Sequence, residues 1–234
     1  MLVDRRIDTS LSLGLAFVGG YGDAAGFVLT KAFTGHVTGN LVLAAISVVG
    51  DDWRICFRRL FAVSLFLTGI LLSLSLERFF GRRLFEFSLA AAMGAEVILI
   101  AFAYFALTSH LSARLEVFVS CMSLALGLQN GAFRRTGSIS VHTTYLTGLI
   151  TDLITTEAEK NDSRARGREV SSPDPKARLL CSIWFAFVLG AAAGAAMVLR
   201  FKALGIFGAA LLLFVLMICQ WASAEPFATA SVPE

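Results

Sequence analysis

Gly19-Gly20-Tyr21-Gly22-Asp23-Ala24-Ala25-Gly26-Phe27 lies in the middle of an apolar run, and Phe33-Thr34-Gly35-His36-Val37-Thr38-Gly39-Asn40 follows soon after it. The run spans roughly residues 11–32, long enough for a membrane helix of about 20 residues. A charge at that depth costs about 2.5–3.5 kcal/mol on insertion scales, so Asp23 should face a bundle interior or a wet cavity. Its small neighbours permit close helix packing, or a backbone break beside the carboxylate. The next apolar segment, 38–50, would rise only about 20 Å as a helix, short of a hydrocarbon core of about 30 Å. The pattern is therefore a long span, a polar break and a half-length helix.

The rest of the chain agrees. Of 234 residues, 56% are hydrophobic and 16% charged, against about 25% charged in soluble domains. Mean hydropathy is +0.74. This excludes a disordered chain and argues strongly against an ordinary soluble domain. Long apolar segments run over 11–32, 60–80, 87–108, 115–133, 179–199 and 203–223, with short ones at 38–50 and 143–156. The polar stretch 157–178, with Pro173 and Pro175, reads as a flexible aqueous loop. The fold class is an all-α, polytopic membrane helix bundle. It has about six long spans and two short broken or re-entrant helices. Arg5 and Arg6 precede a run with no convincing cleavage site, so that run reads as a retained first span rather than a signal peptide.

A net charge of +3 does not suggest a nucleic-acid partner. Cys56, Cys121, Cys181 and Cys219 form no CxxC pair, which implies neither a zinc site nor a disulfide framework. No cofactor is expected, and no spacing demands a metal.

An internal repeat is legible. Gly20 aligns with Gly127, Asp23 with Asn130 and Ala25 with Ala132. Thr38-Gly39 aligns with Thr147-Gly148, and Gly69 with Gly190. Segment lengths repeat as long, short, long, long. The halves are residues 1–112 and 113–234. Three full crossings per half invert the repeat, as in many secondary transporters, whereas four make it parallel; the short segments favour inversion. Lys and Arg then favour an inner side holding Arg5, Arg6, Arg78, Arg82, Arg83, Arg134, Arg135 and the six of loop 157–178. The outer side holds Lys31, Arg54, Arg58, Arg59, Arg114, Arg200 and Lys202. With all eight segments crossing, both termini still fall inside.

The stretches 20–27 and 33–40 resemble the first signature of the YoaK family of bacterial integral membrane proteins. Gly127-Leu128-Gln129-Asn130-Gly131-Ala132 and Thr143-Thr144-Tyr145-Leu146-Thr147-Gly148 resemble its second. Gly22 departs from the Val or Ile expected there. The resemblance covers nearly the whole chain. It implies a bacterial inner membrane and about six helices, and carries no established activity.

The candidate solute or ion site comprises Asp23, His36, Thr38, Asn40, Glu96, Gln129, Asn130, His142 and Thr147. Asp23 reads as a proton or cation site, or as a hydrogen-bonded acid locking helices together. Gln129 and Asn130 offer donors and acceptors without charge, either to a solute or between helices. His36 and His142 precede the short helices, whose N-termini expose unpaired N–H groups. Thr38, Asn40, Thr143, Thr144 and Thr147 add hydroxyl and amide groups, which capping would equally use. Glu96 is a second intramembrane acid, a relay partner of Asp23 or a cavity residue. Asp152 reads as solvated, and Arg134 and Arg135 as interfacial anchors. Gly190-x-x-x-Gly194 makes a small-residue face for packing within the chain or in a homodimer.

The leading functional expectation is a small secondary transporter or permease for a polar solute, with Asp23 as the coupling acid. A channel-like facilitator and a non-transporting scaffold or assembly subunit are the alternatives. No GxSxG, HExxH or paired-carboxylate motif points to an enzyme.

Overall fold

The computed structural model describes residues 2–80, 85–133, 135–136, 139–140 and 175–223, with isolated positions between 151 and 166. Among the described residues the long elements are seven helices: α1 (Leu2–Thr30), α2 (Val37–Val49), α3 (Trp53–Phe80), α4 (Phe85–Thr108), α5 (Arg114–Ala132), α6 (Pro175–Phe201) and α7 (Phe207–Ser223). Helices dominate because each satisfies its own backbone hydrogen bonds, which lipid cannot do. Two two-residue strands, β1 (Arg135–Thr136) and β2 (Ile139–Ser140), pair antiparallel and add a minor β element to the expected all-α fold.

Four described stretches are long and apolar enough to cross a membrane: Thr9–Thr30, Trp53–Phe79, Ala91–Thr108 and Ala177–Cys219. The last has 43 residues, about twice one crossing. It is broken at a 3-10 turn, Lys202–Ile206, with Lys202 at φ 54°, and so forms α6 and α7. α2 has 13 residues, as its sequence required.

Burial is inverted relative to a soluble protein. Phe57, Leu71, Phe79, Ile98, Phe102, Phe105, Phe185, Leu189 and Leu211 are exposed, whereas Asp23, Asn40, Glu96, Ser123, Gln129 and Asn130 are buried. Large outward apolar surface of this extent marks contact with lipid rather than water. α5 is the enclosed helix: every residue from Ala125 to Ala132 is buried. Enclosure by its neighbours explains how it tolerates Gln129 and Asn130.

Glycines set the closest contacts. A Cβ on Gly190 would meet the Phe17 backbone, one on Gly194 the Tyr21 backbone, and one on Gly20 the Phe187 carbonyl. Residue numbers rise together, so α1 and α6 run parallel. A Cβ on Gly127 would likewise strike Phe66, and one on Gly131 would strike Ile70 and Ser73, so α3 and α5 also run parallel. α1 and α5 are antiparallel: Gln129 donates to the Leu15 carbonyl, while Gly22 faces Met122 and Leu126. The Gly190 and Gly194 face, a candidate dimer surface in the sequence, is occupied within the chain by α1.

Gly190→Val should force α1 and α6 apart, at about 1–3 kcal/mol or more for overpacking. Gly94, whose Cβ would meet nothing within 4 Å, is the control. Gly94→Ala should raise thermal stability by up to about 1 kcal/mol of helix propensity. Melting of the two detergent-purified variants should move in opposite directions.

Candidate functional site

The site forms where α1 stops and α2 begins. Asp23 lies seven residues before Thr30, about 10 Å below the end of α1. The intervening chain folds back to reach it. Asp23 Oδ1 accepts the backbone N–H of Thr34 at 2.9 Å and of Gly35 at 2.5 Å, and lies 3.4 Å from the Thr34 hydroxyl. Asp23 Oδ2 is buried with no hydrogen-bond partner among the described residues. A carboxylate accepting backbone N–H groups makes charge-assisted bonds, about twice as strong as neutral ones. One oxygen thus anchors the break, and the other is left over. Gly26 is required here, because a Cβ would lie 2.6 Å from the Thr34 methyl.

Asn40 closes the loop as a latch. Its Oδ1 accepts the Phe33 N–H at 2.8 Å, and its Nδ2 donates to the Phe33 carbonyl at 2.7 Å. Phe33 stacks on Phe27 at 4.5 Å, and the His36 ring lies 5.4 Å from Phe33. His36 is the residue before α2 and makes no side-chain capping bond. It lies within electrostatic range of Asp23.

Two arginines hold the break from α3. Arg58 Nη1 donates to the Thr30 carbonyl at 2.9 Å, and Arg59 Nε donates to the Lys31 carbonyl at 2.9 Å. These are carbonyls that a helix end leaves without an intrahelical partner. Lys31 itself sits at φ 64°, the left-handed conformation common after a helix end. Arg59 Nη1 also reaches the Ser47 hydroxyl and the Leu43 carbonyl in α2. Arg58 Nη2 pairs with Glu116 Oε1 at 2.6 Å. The end of α1 and the starts of α3 and α5 are thereby tied together on one side of the bundle.

The apolar boundary at 60 leaves Arg58 and Arg59 in the linker that follows segment 38–50. They belong instead to α3, which begins seven residues before the apolar boundary at 60. Asp52 supports that earlier start by accepting the Ile55 N–H. The arginines are only 7% and 8% exposed. The one available signal was their position, directly after a half-length helix whose ends need donors. Cys56, two residues earlier, is likewise buried.

The candidate residues do not all converge. Asp23, His36 and Asn40 gather at the break. Thr38 is exposed on α2, away from Asp23. Gln129 bonds Leu15 toward the other end of α1, and Asn130 donates to Leu126 of its own helix at 3.0 Å. Glu96 is enclosed in α4, its Oε2 without a hydrogen-bond partner among the described residues. His142 and Thr147, with Thr143, Thr144, Asp152 and Arg134, lie outside the described residues. Among the described residues no three His, Cys, Asp or Glu side chains converge to hold a metal.

A buried carboxylate, a broken helix and an apolar exterior define an integral membrane helix-bundle protein. The chain belongs to the family described as "Protein of unknown function (DUF1275)", whose model matches residues 11–219. It is similar to the UPF0700 transmembrane protein YoaK of Bacillus subtilis (strain 168), at 25% identity over 149 residues. That match covers 63% of this chain and 65% of the relative. No solved structure matches.

Asn40→Ala should lower stability by about 1–3 kcal/mol, because it leaves the buried polar groups of Phe33 unpaired. Thr38→Ala, on the exposed side of the same helix, should cost within about 0.5 kcal/mol. Thermal melting of the two purified variants compares them directly.

Proposed function

We propose that the protein is a small secondary transporter of a polar solute in the bacterial inner membrane, with Asp23 as its coupling acid. The observation that carries this reading is the division of labour within one carboxylate. Oδ1 holds the Thr34 and Gly35 amides, while Oδ2 is buried without a partner among the described residues. The charge on Asp23 therefore acts directly on the backbone of the break. Ionised, it binds both amides strongly. Protonated, it keeps only a neutral acceptor, about half as strong, and its hold on the loop between α1 and α2 weakens. Proton binding and movement of α2 are then one event.

The helix directions support an inverted repeat of residues 1–112 and 113–234. α1 and α5, which head the two halves, run antiparallel. The pairs α1–α6 and α3–α5 meet through glycines that the repeat aligns, Gly20 with Gly127 and Gly69 with Gly190. Such repeats commonly place substrate sites at broken helices near the midplane. In this reading six helices cross, α2 and the segment 143–156 return without crossing, and both termini are cytoplasmic. The solute would contact His36 at the first break and His142 and Thr147 at the second. Gln129, Asn130 and Glu96 would be polar groups exposed as the halves rock.

A scaffold without transport is the second reading. It is favoured by Asn40, whose amide is engaged on Phe33. One experiment separates the two. Purified protein is placed in liposomes containing a pH-sensitive dye, and a panel of amino acids, sugars and small carboxylates is added. The transporter reading expects one class to drive proton entry through the wild type. Asp23→Asn keeps an acceptor for the amides, so it should fold but abolish the signal. An undiminished signal in that variant would remove Asp23 from coupling. No signal from the wild type with any class would favour the scaffold.

A further inference from the structure

Along the first three turns of α3, beside Glu116 of α5, lies a cleft of about 520 Å³, with Arg54, Arg58 and Glu116 at its polar end and Phe57, Leu60 and Phe61 along its wall. Glu116 is already paired with Arg58 at 2.6 Å, and Arg54 reaches the same carboxylate oxygen only through Nε at 3.5 Å. Two cations and one anion leave a single positive charge. It falls on Arg54, whose side chain is 71% exposed. Arg58 is buried and committed to Thr30 and Glu116.

Arg54, Phe57, Arg58 and Phe61 recur at three- and four-residue spacing, which places them on one face of α3. From 54 to 61 that face runs about 10 Å. A guanidinium at the helix start is thus followed by an apolar strip leading along α3. Phe57 is 65% exposed, Leu60 40% and Phe61 49%. A soluble anion would engage the charge alone, whereas a phospholipid engages the charge with its phosphate and the adjoining strip with an acyl chain. A zwitterionic lipid, with no net charge, would leave the positive charge uncompensated. We propose that the cleft binds one anionic phospholipid, its phosphate on Arg54 and an acyl chain along Phe57, Leu60 and Phe61. Through Arg58, the bound lipid adjoins the end of α1. The proposal stands independently of transport.

Native mass spectrometry of the full chain in detergent with added phosphatidylglycerol tests this. The wild type should retain one phosphatidylglycerol and retain phosphatidylcholine more weakly. Arg54→Gln should retain the anionic lipid about fivefold less, the effect of about 1 kcal/mol per interfacial basic residue. Arg54 is exposed, and Arg58 still joins α3 to α5, so the variant should fold. Arg200→Gln removes an exposed charge elsewhere and should behave as wild type. Equal retention by wild type and Arg54→Gln would overturn the proposal, as would an equal fall in Arg200→Gln. A third arm adds glycerol phosphate, which has the head but no chains. It should not displace the lipid; displacement would make the cleft a soluble-anion site and overturn the lipid assignment.

Discussion

A helix that stops against packed neighbours leaves backbone N–H and C=O groups buried away from water. Everything around residues 30–40 answers that constraint. Asp23 takes the Thr34 and Gly35 amides, Asn40 takes both polar groups of Phe33, and Arg58 and Arg59 take the carbonyls of Thr30 and Lys31. Each unsatisfied group would cost several kcal/mol in hydrocarbon. Asp23, Asn40, Arg58 and Arg59 thus make a buried non-helical turn tolerable. Without Asp23 the loop has no reason to fold inward, and without the arginines α2 has no fixed relation to α3.

The larger architecture follows from the same shortage of driving force. Lipid is as apolar as a leucine, so hydrophobicity does not bring membrane helices together; close packing and hydrogen bonds do. The glycines of α1, α3, α5 and α6 allow backbone contact, and Gln129 adds a buried hydrogen bond to Leu15. α5 is enclosed from Ala125 to Ala132 and buries Ser123, Gln129 and Asn130. The outward faces carry phenylalanine and leucine, which suit contact with lipid.

Much of this was legible in the sequence because it depends on residue type and spacing. A carboxylate flanked by glycines in an apolar run must be enclosed, and a 13-residue apolar helix cannot span comfortably. What depends on partners was not legible. Arg58 and Arg59 look like interfacial charges until α1 is seen to end beside them. Asn40 and Thr38 look equivalent two residues apart, yet one turns inward and the other outward. Gly190 and Gly194 announce a tight contact without naming α1 as its other side. The second break, with His142 and Thr147, falls outside the described residues, so the pairing of the two half-sites rests on sequence alone.

The central claim is that the chain turns back after α1, so that α2 does not cross and α3 starts on the side where α1 ends. Asp51, exposed in the turn between α2 and α3, reports this directly. Asp51→Cys would be introduced into a chain with Cys56, Cys121, Cys181 and Cys219 replaced by alanine, carrying an epitope at its N-terminus. Intact and permeabilised cells would be treated with a membrane-impermeant maleimide and probed for the epitope. The account expects Asp51→Cys to react in intact cells while the epitope is reached only after permeabilisation, placing the two on opposite sides. Finding both on the same side would mean that α2 crosses, and the inverted arrangement would be wrong.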